Sequence, residues 1–249
     1  MKLNKIEKTI LTISIAAAAL LAFPTAANAM HIMEGYLPIS YSIAWTIIAI
    51  PFVVMGAIRL RKTAKENKRA LILLAMSGAF IFVISSLKIP SVTGSSSHMT
   101  GTGLSAILFG VGITTILGMI VLIFQAILLA HGGLTTLGAN TFSMAIAGPF
   151  VTWILFKAGK KLKINKMANI FIAAAVGGLF TYSITALQLA MAHPGEGGVA
   201  ASMAKFMGVF APTQIPLAIV EGLLTVLAIM GMENFATREL SEISYMEAN

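Results

Sequence analysis

Cysteine is absent from the 249 residues, and so is aspartate, since all nine acidic residues are Glu. Without cysteine there are no disulfides, thiolate zinc sites, iron–sulfur clusters or cysteine nucleophiles. Any bound metal must be held by nitrogen or oxygen, helped at most by one of the 15 Met. Charge is scarce too: 10% of residues carry one, against about 25% in soluble domains. This excludes an ordinary soluble globular protein. No G-x-x-x-x-G-K-[ST] occurs, so ATP hydrolysis on a P-loop is excluded. No H-E-x-x-H occurs, which excludes a zincin site.

What fills the chain instead is apolar: 57% of residues are hydrophobic and the mean hydropathy is +0.90. The net charge of +8 could suggest nucleic acid, but the basic residues sit in short clusters between long apolar runs. That is the pattern of an integral membrane protein. The first 29 residues read as a signal peptide. Lys2, Lys5 and Lys8 form a basic head, and Ile10 to Phe23 is an apolar run shorter than the ~20 residues a span needs. Ala27-Asn28-Ala29 is an A-x-A cleavage signal, so the cut is expected between Ala29 and Met30. An uncleaved anchor helix is the competing reading. Cleavage leaves Met30-His31-Ile32-Met33-Glu34 as a new N-terminus outside the cytoplasm.

Apolar stretches follow at 39–58, 70–87, 104–130, 140–157, 168–192 and 210–232. The basic clusters Arg59 to Arg69 and Lys157 to Lys166 are both expected on the cytoplasmic side. If so, the stretch 104–130 must leave and return to the same face. It is too short for two full spans, and its glycines Gly110, Gly112 and Gly118 suggest broken helices buried in protein. The expectation is an all-α integral membrane protein forming one polytopic membrane domain, 30–249. It has about seven transmembrane helices after the cleaved signal peptide, N-terminus outside and C-terminus cytoplasmic. Six spans with one misplaced basic loop is the alternative. The tail 233–249 is polar and reads as a short cytoplasmic helix or disorder. Ser40 with Ala44, Ala173 with Gly177 and Ala174 with Gly178 offer small-residue faces, either for partner helices or for packing inside the subunit.

All four histidines, His31, His98, His131 and His193, fall in or near segments expected outside. Cleavage before Met30 frees an amine. With the amide nitrogen and an imidazole nitrogen of His31, that amine can close two fused chelate rings on one metal. His98, on another external loop, can supply a fourth nitrogen. Such a tetragonal all-nitrogen set suits Ni(II), Cu(II) and Co(II). Alone, a Met-His start is also what an incidental loop histidine looks like. Ser95-Ser96-Ser97-His98 places hydroxyls beside a histidine, which keeps an intramembrane serine hydrolase as a distant alternative. Glu221 lies inside an apolar span, where a carboxylate is a functional candidate by default, facing partners or staying protonated outside the metal site.

Met30-His31-Ile32-Met33-Glu34-Gly35-Tyr36-Leu37-Pro38 resembles the mature start of the CbiM/NikM family. Two further blocks agree: Lys88-Ile89-Pro90-Ser91-Val92-Thr93-Gly94-Ser95-Ser96-Ser97-His98 with Thr100 to Gly103, and His131-Gly132-Gly133-Leu134-Thr135-Thr136-Leu137-Gly138-Ala139-Asn140. Met99 departs from the pattern, where Pro is expected. The resemblance implies a substrate-binding S component of an energy-coupling factor importer, ATP-driven, taking up Co(II) for cobalamin biosynthesis, with a nickel-specific S component as the alternative. It implies metal ligands at Met30, His31 and His98. A metal-bound imidazole usually needs an acceptor behind it, a role open to Asn140 or Ser97, with His131 nearby, and packing explains these three equally well. It also implies partners: a transmembrane scaffold (T component), ATP-binding cassette ATPase subunits and often a small accessory membrane subunit. The transported ion, Co(II) or Ni(II), is cargo and not a resident cofactor.

Overall fold

A computed structural model describes residues 31–90 and 96–243 of the chain. The expected signal peptide and Met30 lie outside the described residues. The protein is helical. Helix α1 runs Ile39–Glu66, α2 Ala70–Ser86, α3 Thr102–Phe109, α4 Val111–Leu128, α5 Leu137–Lys161, α6 Lys166–Ala192, α7 Gly198–Phe235 and α8 Thr237–Glu242. Between α2 and α3 a two-residue antiparallel pair, β1 (Ile89–Pro90) and β2 (Ser96–Ser97), sets Ile89 opposite Ser97. Helices α1, α4, α5, α6 and α7 are long and apolar enough to cross a bilayer, and α2 is a shorter apolar helix of 17 residues. This is a multi-pass membrane protein.

The helices outrun their apolar stretches. Helix α1 continues through Arg59 to Glu66 because Arg, Lys, Ala and Glu are good helix formers once the chain reaches polar surroundings. Helix α7 begins at Gly198, twelve residues before its apolar stretch, and carries Pro212 and Pro216 inside it. The stretch 104–130 breaks where its glycines suggested. Gly110 sits at φ 76° and ψ 178°, a conformation that an L side chain rarely adopts, and it separates α3 from α4. The eight residues of α3 rise only about 12 Å, so this helix cannot cross a ~30 Å hydrocarbon core by itself. The stretch therefore holds one span-length helix and one short helix.

Thr102 to Leu108 are all buried, so α3 runs through the interior of the bundle. Its lower half joins a core with Leu73, Phe156, Ile170, Ile229, Met232 and Leu240. These residues come from the start of α2, the ends of α5 and α7, the start of α6, and α8. At the same end Asn67 donates to the Glu242 carbonyl, and Arg69 pairs with the Glu242 carboxylate at 2.8 Å. At the opposite end Ile32, Leu37, Ala139 and Leu189 make a second core, flanked by Tyr41, Trp45 and Phe206. Both basic clusters thus gather at one end of the bundle, and the segment following Met30 packs at the other.

Close helix approach is built from small residues. A methyl group on Gly177 would collide with the Thr152 hydroxyl, and one on Gly103 with Ala174. The pairs Ala173/Gly177 and Ala174/Gly178 are therefore spent on packing inside the subunit. Ser40 and Ala44 are exposed on α1, of which only Ser42, Ala49 and Gly56 are buried. Interhelical hydrogen bonds tie the interior: Gln188 to the Ala139 carbonyl at 3.0 Å, Asn169 to the Phe156 carbonyl at 2.8 Å and Thr115 to the Ala145 carbonyl at 3.1 Å. Each is worth roughly 0.6 kcal/mol, up to about 1.7, within lipid.

Candidate metal centre

Three connections converge on one point. His31 precedes α1, His98 follows β2, and His131 lies in the turn between α4 and α5. Their rings stand 4.4 Å (His31–His98), 4.4 Å (His31–His131) and 4.8 Å (His98–His131) apart, centroid to centroid. One nitrogen from each lies within 4.8 Å of the others, and all three side chains are buried. Three imidazoles packed this closely without an anionic partner gain little from each other. They make chemical sense as donors converging on a cation.

Proton placement follows from what the second nitrogen meets. His98 Nδ1 is 2.7 Å from the Met99 carbonyl oxygen, which only accepts, so Nδ1 carries the proton and Nε2 presents a lone pair. His98 Nε2 has no hydrogen-bond partner. His31 Nε2 is 3.0 Å from the Met144 thioether, also an acceptor, which leaves His31 Nδ1 as the unpartnered lone pair. That nitrogen is the one that closes a six-membered ring with the residue's own amide nitrogen. Neither nitrogen of His131 has a partner. Burial holds the His31 and His131 imidazoles well below their usual pKa, with mutual repulsion among the histidines and the Lys88 ammonium adding to the effect. Neutral imidazole is the form that binds metal.

The chain carrying His31 is clamped. Asn140 accepts from the Ile32 amide at 2.9 Å and donates to the Ile32 carbonyl at 3.0 Å, and the Thr136 hydroxyl donates to the same carbonyl at 2.6 Å. Asn140 ends the first turn of α5, which then widens into a π-helical stretch, Thr141–Ala147, that carries Met144 against His31. Such stretches are rare and gather at functional sites.

The expected residues thus fall into three groups. His31 and His98 come together, and the His131 ring packs against both. Ser97 and Asn140 do not hydrogen-bond to an imidazole. Asn140 grips backbone, and the Ser97 hydroxyl pairs with Thr213 at 2.7 Å. That pairing also leaves Ser97–His98 without a nucleophile–base contact. Met30, the expected amine donor, lies outside the described residues. His193 stands apart, donating to the Tyr36 carbonyl at 2.8 Å. Glu221 faces inward, not toward partners. It is 2% exposed and accepts from the Thr100 amide at 2.9 Å, the Gly101 amide at 2.8 Å and the Thr100 hydroxyl.

Residues 31–238 match the CbiM family, described as the cobalt uptake substrate-specific transmembrane region. The chain belongs to the CbiM family. Among CbiM relatives, the cobalt transport protein CbiM of Lachnoclostridium phytofermentans is 61% identical over 242 residues, 97% of each chain. The cobalt transport protein CbiM of Carboxydothermus hydrogenoformans is 60% identical over 207 residues, covering 83% of this chain and 84% of that one. The fold is also similar to a crystal structure described as a truncated transition metal transporter. Its TM-score is 0.71 at 26% identity, covering 82% of this chain and 98% of that one.

Proposed function

We propose that this CbiM-family chain is the substrate-binding subunit of an ATP-driven importer, and that it captures Co(II) at the histidine cluster. The observation that carries the reading is the buried convergence of His31, His98 and His131 with donor nitrogens left unpartnered. In this reading the signal peptide is removed after Ala29. The Met30 amine, the His31 amide and His31 Nδ1 then bind the metal in one plane, and His98 Nε2 supplies the fourth nitrogen. The relatives' description as cobalt transport proteins favours cobalt. The all-nitrogen set leaves Ni(II) as the second reading, since affinity order alone runs in nickel's favour.

Seven traverses accompany this proposal, with the histidine end outside and the C-terminus in the cytoplasm. The third traverse is the non-helical segment from Ser97 together with α3, which shortens what helix must supply. The sequence holds no P-loop, so energy is assigned to separate ATPase subunits working through a membrane scaffold, with a small accessory membrane subunit as a further partner. Metal analysis of the purified mature protein, together with its N-terminal sequence, tests the reading. One Co(II) or Ni(II) per chain and a terminus at Met30 are expected. A chain that binds neither ion stoichiometrically defeats the proposal.

A further inference from the structure

Thr213, Leu217 and Glu221 recur every fourth residue and form one stripe along α7. The stripe meets the segment Ser97–Gly101 at three successive places. Thr213 pairs with the Ser97 hydroxyl, Leu217 shares a buried cluster with Met99 and Ile84, and Glu221 gathers the two amides and the hydroxyl at Thr100–Gly101. Eight helical residues rise about 12 Å, within the reach of four chain steps of at most about 3.6 Å each. With Ser97 and Met99 held against α7, the His98 ring lies in the histidine cluster. Gly101 closes the segment at φ 69°, its Cα packed so near Ile81 that a methyl there would lie 3.0 Å from the Ile81 backbone. The His98 segment is thus pinned on both sides, and the Glu221 carboxyl group anchors its far end.

We propose that Glu221 is a positioning residue for metal capture. It fixes the main chain two and three residues beyond His98, and through that holds His98 Nε2 at the metal. The inference rests on reading the cluster as a metal site.

The test uses full-length detergent-purified protein with Ni(II) as the probe. Affinity is read by chelator competition, and the donor set by the visible ligand-field band. Wild type, His98→Ala, Glu221→Ala and the double variant form one thermodynamic cycle. Glu221→Ala is expected to cost at least about tenfold in affinity, the range for outer-sphere changes, and to move the band toward that of His98→Ala. Added to His98→Ala, it is expected to cost nothing further. Glu221→Gln keeps one acceptor oxygen and should fall between wild type and Glu221→Ala. Thr213→Val should shift the band the same way, by less. An equal loss from Glu221→Ala with and without His98 overturns the proposal, and so does an unchanged band. If Glu221→Ala does not fold, the same cycle run with Glu221→Gln decides on the same criteria. A wild type that binds no Ni(II), or a His98→Ala of unchanged affinity, instead defeats the underlying metal-site reading.

Discussion

Each histidine in the cluster has a distinct reason for its place, and the substitutions should reflect that. His31→Ala and His98→Ala each remove a proposed donor and should lower Co(II) affinity at least about tenfold, measured by chelator competition. His131 adds a third imidazole whose nitrogens are both free. His131→Ala should leave the ligand-field band in place, since the four proposed nitrogens come from Met30, His31 and His98. Proton uptake gives a second handle. Burial lowers the folded-state pKa of His31 and His131, so the unfolded chain binds more protons as pH falls below about 6.5. Their contribution to stability is therefore complete above that pH and declines beneath it. The metal-free protein should melt at a lower temperature at pH 5 than at pH 7. At pH 7 these imidazoles have no proton to release. The protons displaced on binding should come from the Met30 amine and the His31 amide, about two per metal, measured by calorimetry in buffers of different ionisation enthalpy. Release of none would remove the amine and amide from the ligand set.

Among the elements, the joint between α3 and α4 is the most constrained. Gly110 adopts a backbone geometry reserved for glycine, with the Trp153 indole 3.6 Å from where a side chain would begin. Gly110→Ala should cost roughly 1–3 kcal/mol through backbone strain, seen as a lowered denaturation midpoint in detergent. This joint also shows what could be read from the amino acids. Apolar length and the two basic clusters were enough for α1, α2, α5 and α6 to within a few residues at the apolar ends. The glycines marked a break within 104–130, but not how unequally it divides the stretch. Whether a buried chain is helix or extended depends on whether distant groups can satisfy its amides, and Glu221 supplies that from 121 residues away. The start of α7 was hidden by Lys205 and Ser202, which dilute its hydropathy although Ser202 is buried and bonded to Gly195. In the site, His31 and His98 were legible through the three sequence blocks. The clamp of Asn140 on Ile32 was not, because it joins backbone to side chain across the bundle.

The whole molecule places its two basic clusters and its histidines at opposite ends, and that polarity can be tested. The chain has no native cysteine. Lys62→Cys and Lys163→Cys should react with an impermeant reagent only from the cytoplasmic side, and Leu134→Cys, in the exposed part of the loop beside His131, only from outside. Reaction of Lys163→Cys from outside would overturn the proposed seven traverses.

The short α3 carries a consequence for biosynthesis. The segment before it has peptide groups that lipid cannot satisfy, and their partners, Thr213 and Glu221, are translated last among the long helices. A ribosome adding about 5–20 residues per second needs about 6 to 24 seconds to travel from Thr100 to Glu221. During that interval this stretch has no stable home in the bilayer. It should wait at the surface or in the shelter of the insertion machinery and thread inward only when α7 arrives. A nascent chain stalled before Gly198 should accordingly leave residues 97–109 open to protease, and one released after Phe235 should protect them.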